Sequence, residues 1–402
     1  MHCRYVFTKL QDNLKEVKMS YMFLIVVICI YVLLKFVMSL GLISLRSTGL
    51  YKKDNTRVSI IVAFRNEKEN ISNCIKSLLH QSYNDDFLEI VLIDDWSNDG
   101  TYEIATEFDR VYGHIHLLRT DLGNRNHEIA IQYTGSKKKA LQTGIEFSSG
   151  HILLFTDADC RPGPLWVHSV VSCFSKNTGV VFGYSPNLSY ERSFTGQMSF
   201  FDSYFAASIS ASGAGLGVFI TCNGRNLAYR KEIFRQTNGY SKILRSVSGD
   251  DDLFVHNIIE MTEWQFSYVT EKESFVPNYN QYNIREFIYR KTRHVSASKY
   301  FPPEIKLFYF FLHMTNNLIY LYLLYFLVPP EVINPWFWIL ISLKIFCELL
   351  YFSAANRIFK ESISFFDYLK WDFVQSVYHV LIYPLSRLMK IRWGYKDQSE
   401  SS

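Results

Sequence analysis

Residues 151–159 read HILLFTDAD, an apolar run that stops on two carboxylates, Asp157 and Asp159, one residue apart. An unbroken apolar run of this length, ending in an acidic turn, suits a strand buried on both faces of a parallel sheet. Working outward, 58–63 (VSIIVA) and 89–93 (EIVLI) have the same character, and the second also ends on a carboxylate pair, Asp94 and Asp95. Residues 115–118 give a further strand. Between these runs, 70–79, 101–108 and 138–147 read as helices; Ile71, Cys74, Ile75, Leu78 and Leu79 show the helical spacing best. This βαβαβ rhythm predicts an open α/β sheet, whose ligands gather at the carboxyl ends of the strands. The acidic residues sit where that rule points: Glu67 past the first strand, Asp94 and Asp95 at the second, Asp157 and Asp159 at the fourth. The segment AFRNE after the first strand carries no glycine-rich phosphate loop, which argues against P-loop and dinucleotide readings.

The chain is also built for a membrane. Hydrophobic residues make up 48% and aromatics 16% of its 402 residues, a high load for a soluble enzyme. A net charge of +4, with Lys137 to Lys139 the longest basic run, gives no support to a nucleic-acid partner. Seven scattered cysteines form no CxxC pair, so they read as free thiols in a reducing compartment, with no disulfide framework or structural zinc. Residues 21–45 are apolar over more than a bilayer thickness. They exceed a signal-peptide core and lack its small-residue cleavage site, so they read as an uncleaved anchor. Lys35 within them is expected to snorkel toward the near interface. Two further spans, 307–328 and 332–352, flank a link punctuated by Pro329, Pro330 and Pro335 and carrying Glu331. Arg357, Lys360 and Lys370 follow, so the positive-inside rule puts the central region in the cytoplasm of a multi-pass inner-membrane protein. Residues 373–389, followed by Lys390, Arg392 and Lys396, suit a span and an interfacial helix equally. The expected organisation is a 1–20 tail, a 21–45 anchor, a 46–57 linker, a 58–300 domain with interfacial helices, and a 301–402 membrane region.

Three clusters carry chemistry. Two carboxylates at a strand end, Asp157 and Asp159, can share a Mg²⁺ or Mn²⁺ ion, which prefers hard oxygen ligands and keeps water or phosphate in its shell. In Gly249-Asp250-Asp251-Asp252, three adjacent carboxylates repel one another, so that one of them suits a general base; an acidic helix start fits the same pattern. In the predicted helix 285–294, Arg290 and Arg293 share a face and suit a diphosphate clamp, while a basic collar on anionic lipid fits too. Between them, Phe194, Met198, Phe201 and Phe205 lie along one face of 194–209, as a core helix or a membrane-interface helix would have them.

Taken in order, these segments resemble the family-2 glycosyltransferases with the GT-A fold, in the membrane-integrated branch that includes cellulose, hyaluronan and ceramide-glucosyl synthases. VSIIVAFRNEKENISNCIKSLLHQSY resembles the opening strand and helix, with Ala63 where proline is usual. LIDDWSNDGT, KKKAL, the TDAD turn and CNGRNLAYRKEIF resemble the motifs that follow. The resemblance implies an α/β GT-A domain with one N-terminal and two or three C-terminal membrane helices. It implies an inverting transfer from a nucleotide-diphosphate sugar, uridine being the commonest base, to a lipid or glycan acceptor. By resemblance, Asp95, Glu67 and Lys137 bind the donor, Asp157 and Asp159 the divalent cation, and Arg290, Lys291 and Arg293 the diphosphate. Asp250 is the implied base, with Asp251 as the alternative. The family's Q-x-x-R-W motif reads RKTRH here, with Arg290 for Gln and His294 for the Trp that helps hold a growing chain in processive synthases. Single transfer is therefore expected, against a processive synthase and against a membrane scaffold or transporter. The last would route a path past His313, Asn316, Asn317, Lys344 and Glu348, yet has too few spans and no internal repeat. Membrane lipids are expected partners, and homo-oligomer formation stays open.

Overall fold

A computed structural model of the chain describes residues 2–46, 55–120, 136–188, 193–244, 246, 248–280, 283–327 and 335–389. Its strands β1 (Val58–Phe64), β2 (Leu88–Asp94), β3 (Ile115–Arg119) and β4 (Ile152–Phe155) appear close to where the apolar runs put them. They belong to one seven-stranded sheet, ordered β3-β2-β1-β4-β6-β5-β7. Here β5 is Thr178–Gly183, β6 Leu227–Arg230 and β7 Gln265–Val269. The first four strands pair in parallel. Strand β6 runs antiparallel to both neighbours, and β7 rejoins β5 in parallel.

All seven residues of β1 are buried, which explains its continuous apolar character. Its side chains alternate between two cores: Ile60, Val62 and Phe64 face one, Ile61 and Ala63 the other. The first core packs under α2 (Ile71–Leu79), α3 (Thr101–Val111) and α5 (Trp166–Val171), with α4 being Lys137–Phe147. The second is continuous with the membrane helices through α6 (Phe194–Gly215). On α6, Met198, Phe201 and Phe205 are buried, and Phe201 stacks on Trp371 at 5.5 Å. Phe194 is 59% exposed, though its ring lies 5.2 Å from Trp371. The aromatic face is thus the seam between the sheet domain and the C-terminal helices.

The remaining helices are α7 (Lys231–Gln236), α8 (Asp252–Met261), α9 (Ile284–Ala297), α10 (Pro303–Leu327), α11 (Pro335–Phe359) and α12 (Phe365–Leu388). Helix α1 (His2–Ser44) runs unbroken through both the expected tail and the expected anchor. Among the described residues, three segments are long and apolar enough to cross a membrane: Met22–Ser44, Pro303–Leu324 and Phe337–Phe359. Pro335 opens α11 instead of sitting in the link, as suits a proline in a first helical turn. The rest of the link, 328–334 with Pro329, Pro330 and Glu331, lies outside the described residues, as do most of the expected linker and the basic tail. Helix α12 begins eight residues before the expected segment, because Ser364 caps it by accepting the N–H of Asp367 at 3.0 Å.

Lys35 does not snorkel. It is 6% exposed, with its Nζ 3.3 Å from Glu348 Oε2, 3.4 Å from the Tyr368 hydroxyl and 4.3 Å from the Tyr351 ring centre. Glu348 also meets Lys344 at 3.4 Å and accepts hydrogen bonds from Tyr31 and, at 2.7 Å, Tyr368. A carboxylate at the same depth holds the ammonium where it is. Lys344 and Glu348, which a transport path would need, are taken up in this cluster.

Candidate active site

The turn leaving β4 sets Thr156–Asp159 beside the ends of β1 and β2. Lys137, at the start of α4, places its Nζ 2.9 Å from Asp157 Oδ1 and 3.2 Å from Asp250 Oδ2. One ammonium therefore joins two motifs that lie 93 residues apart in sequence. Burial lowers the proton affinity of Lys137, but Asp157 and Asp250 outweigh it and hold the amine charged. Asp159 accepts a hydrogen bond from Asn280 Nδ2 at 3.2 Å and has Arg290 Nη1 at 3.8 Å. Burial raises its pKa, yet Arg290 and Arg225 bring it below the usual carboxylate range. Arg225 is a residue the sequence reading passed over; it lies within the CNGRN segment and is 7% exposed. Among the described residues no three His, Cys, Asp or Glu side chains converge as a metal cage. Two hard carboxylates at one turn still fit Mg²⁺ or Mn²⁺, whose shells retain water and phosphate oxygens.

The acidic triplet divides its labour. Gly249 has φ +88°, and a Cβ there would come within 2.6 Å of the Leu253 side chain, so glycine is required. Asp252 Oδ1 accepts from the Cys222 N–H at 2.7 Å and the Thr221 hydroxyl at 2.8 Å, pinning that loop. Asp251 caps α8 by accepting from Asp252 N at 2.8 Å, and its other oxygen takes the Gly224 N–H at 2.9 Å. Asp250 answers to Lys137. Burial raises Asp250, but Lys137 and Lys138 outweigh it and leave its pKa below normal. Burial and the neighbouring Asp250 raise that of Asp251. Lys138, 4% exposed, donates to the carbonyls of Ser246 and Ser248 and so fixes the loop that leads into Gly249. It too was missed, since in sequence it is one of three identical lysines.

Lys137, Asp157, Asp250, Asp251, Arg290, Lys291, Arg293 and His294 all line a cavity of about 850 Å³. Lys291 is paired across the cavity: its Nζ lies 2.6 Å from Asp202 on α6, which also accepts the Tyr378 hydroxyl at 2.6 Å. Glu67 and Asp95 are not among the lining residues. Asp95 is fully buried, accepting from the Thr120 hydroxyl at 2.7 Å and Ser136 N at 2.9 Å, and burial raises its pKa. Glu67 accepts from Asn70 Nδ2 at 2.9 Å. Next to them, Asn66 (φ 56°) and Trp96 (φ 62°) adopt left-handed backbone at the ends of β1 and β2. Paired bonds between Asn66 and the 97–98 turn hold them there. Non-glycine residues in this conformation persist only where their surroundings enforce it.

A family model described as Glycosyl transferase family 2 matches residues 59–237. The glycosyltransferase AglE of Haloferax volcanii is 39% identical over 123 residues, covering 31% of this chain and 36% of its own length. A beta-monoglucosyldiacylglycerol synthase of Nostoc sp. is 31% identical over 119 residues, 30% of this chain and 24% of its own length. The chain thus spans about a third or less of these curated relatives. A mannosyltransferase from Pyrobaculum calidifontis, solved with GDP-Man and Mn²⁺, aligns with a TM-score of 0.53 at 16% identity. That alignment covers 88% of this chain and 99% of the other, and it is a likeness of fold: a GT-A-type sheet with flanking helices.

Proposed function

We propose, for a chain whose residues 59–237 belong to glycosyl transferase family 2, a membrane-bound inverting transfer of sugar from a nucleotide-diphosphate donor to an acceptor hydroxyl. The observation that carries this reading is the Lys137 bridge, which gathers a metal-type carboxylate and the acidic triplet around one cavity. Asp157 and Asp159 would hold a divalent cation, which supplies positive charge for the leaving diphosphate. Arg290 and Arg293 add bidentate donors for the same oxygens. Asp95 and Glu67 lie where the nucleoside would sit, at the carboxyl ends of β1 and β2.

Asp251 serves as the base. An ammonium at 3.2 Å depresses the proton affinity of Asp250, whereas Asp251 is raised and its orientation is fixed by two backbone N–H groups. A base with proton affinity nearer the working pH transfers protons better. As the acceptor oxygen bonds to the anomeric carbon, its proton passes to Asp251. The bond from that carbon to the diphosphate breaks on the opposite face, and the diphosphate leaves with the electron pair. Orientation follows from Arg357, Lys360 and Lys370, which favour a cytoplasmic catalytic domain on a multi-pass inner-membrane protein.

The test is donor turnover by the detergent-purified chain, with UDP- and GDP-sugars and Mn²⁺ or Mg²⁺. Nucleoside diphosphate release from one sugar nucleotide, lost in EDTA and in Asp159→Ala, is the expected result. Tight donor binding without release, across added lipid and glycan acceptors, would overturn it.

A further inference from the structure

The cavity does not end at the carboxylates. It continues between α6, α9, α10 and α12 to Asn316, His313, His379 and Asp372, on helices that carry or adjoin the membrane segments. Asn316 lies 13 residues past Pro303, about 20 Å along α10 at 1.5 Å per residue, near the middle of the Pro303–Leu324 segment. A chamber at that depth is expected to be lined by hydrocarbon. This one sets the amides of Asn316 and Asn317, the Ser376 hydroxyl and the imidazoles of His313 and His379 among apolar side chains such as Leu312, Met314 and Val380.

Three details say what it would hold. First, the Asn316 amide cannot flip. Its Nδ2 donates to Asp372 Oδ2 at 3.0 Å and Ser376 Oγ at 2.9 Å, and turning it would set its oxygen against the carboxylate. Asn316 is 7% exposed, and its Oδ1 has no hydrogen-bond partner among the described residues. A lone buried acceptor calls for a ligand that donates, which a phosphate ionised at neutral pH does poorly and an alkyl chain not at all. Second, His379 Nδ1 is also without a partner among the described residues, and its ring lies 4.6 Å from that of His313. Third, two of the cations here are already paired. Lys35 faces Glu348 and Lys291 faces Asp202, while Asp372 takes the Tyr320 hydroxyl at 2.7 Å and exposed Arg387 donates to the Tyr383 hydroxyl.

We infer that the inner half of the cavity is an acceptor subsite for an uncharged sugar unit, making the acceptor a saccharide longer than the unit that meets Asp251. This rests on the transferase reading above. Asn316 accepts a sugar hydroxyl there, and His379 takes either role in a second hydrogen bond.

The experiment uses the full chain in detergent, the donor identified by turnover, and octyl glycosides of one, two and three glucose or mannose units, with decyl phosphate as the lipid-phosphate probe. Expected is a kcat/KM that rises on going from one unit to two. Asn316→Leu and His379→Phe, the second keeping the aromatic contact, should each cut that gain roughly three- to tenfold, as loss of one hydrogen bond implies. Donor hydrolysis without acceptor is measured in each variant, so a general collapse of the site is told apart from loss of the length dependence. Decyl phosphate outperforming every glycoside would overturn the inference, as would a length dependence that survives both substitutions. If no donor turns over at all, the transferase reading fails. The subsite then stands or falls on thermal stabilisation of the chain by maltotriose or mannotriose, abolished in both variants.

Discussion

Glu348→Met is the perturbation that most directly probes how this chain is held together. The Glu348 carboxylate is fully buried, and Lys35 at 3.3 Å and Lys344 at 3.4 Å both depend on it, with exposures of 6% and 4%. Removing it leaves two buried ammonium groups without their carboxylate, and Asp372 is already engaged by Tyr320 and Asn316. Breaking one buried pair costs about 3–5 kcal/mol. With about 2 cal/mol/K of unfolding entropy per residue, a loss near 4 kcal/mol lowers the melting midpoint by about 5 °C. The triple variant Lys35→Met/Lys344→Met/Glu348→Met removes all three charges together. It should recover most of that loss, because well-packed apolar replacements of buried ion clusters are neutral or stabilising. The assay is intrinsic fluorescence on heating in one detergent, for the parent, the single and the triple variant. A single variant as stable as the parent would refute the reasoning. It would mean that the lysines reach an interface unaided and that the cluster is incidental.

Further outcomes test the site and the helix packing. Asp251→Asn should cut kcat by a factor of about 10² to 10⁴, the usual worth of a general base. Asp251 must be ionised to act and its pKa is raised, so kcat/KM should fall as pH drops through a value above the ordinary aspartate range. Asp250→Asn, which removes the neighbouring negative charge, should move that acidic limb to lower pH while retaining activity; a pH–rate profile decides, and an unmoved limb would put the base elsewhere. Gly215→Ala should destabilise the chain by about 1–3 kcal/mol, the range for overpacking. Its Cβ would stand 1.9 Å from the Gly41 carbonyl oxygen, where α1 crosses α6 and the Ser44 hydroxyl donates to Gly215 O. Melting-midpoint measurements on the purified variant check this.

What the sequence disclosed and what it withheld divide along one physical line. Strands β1, β2 and β4 were legible because burial on both faces leaves an unbroken apolar run, and the acidic residues at their ends then fell where an open sheet exposes its loops. Strand β6 is only four residues long, and its antiparallel insertion between β4 and β5 leaves no local mark. Side-chain partners were the larger loss. Lys35 was placed by treating its helix as alone in lipid, where snorkelling is the cheapest answer; its carboxylate stands 313 residues further on. Lys291 sits in a basic run beside Arg290 and Arg293, yet one step around the helix turns it to Asp202. Lys137 and Lys138 are chemically identical neighbours, and the 100° between them on α4 sends one to two carboxylates and the other to two carbonyls beneath the acidic loop. Composition and periodicity report what a residue's own element requires of it. A charge in a buried place is decided by the element it meets, so the residues whose roles changed between sequence and structure are buried cations with partners far along the chain. That is also why Asp251, held by the N–H of Gly224 from a loop 27 residues earlier, separates from Asp250 as a base only once the fold has brought the two segments together.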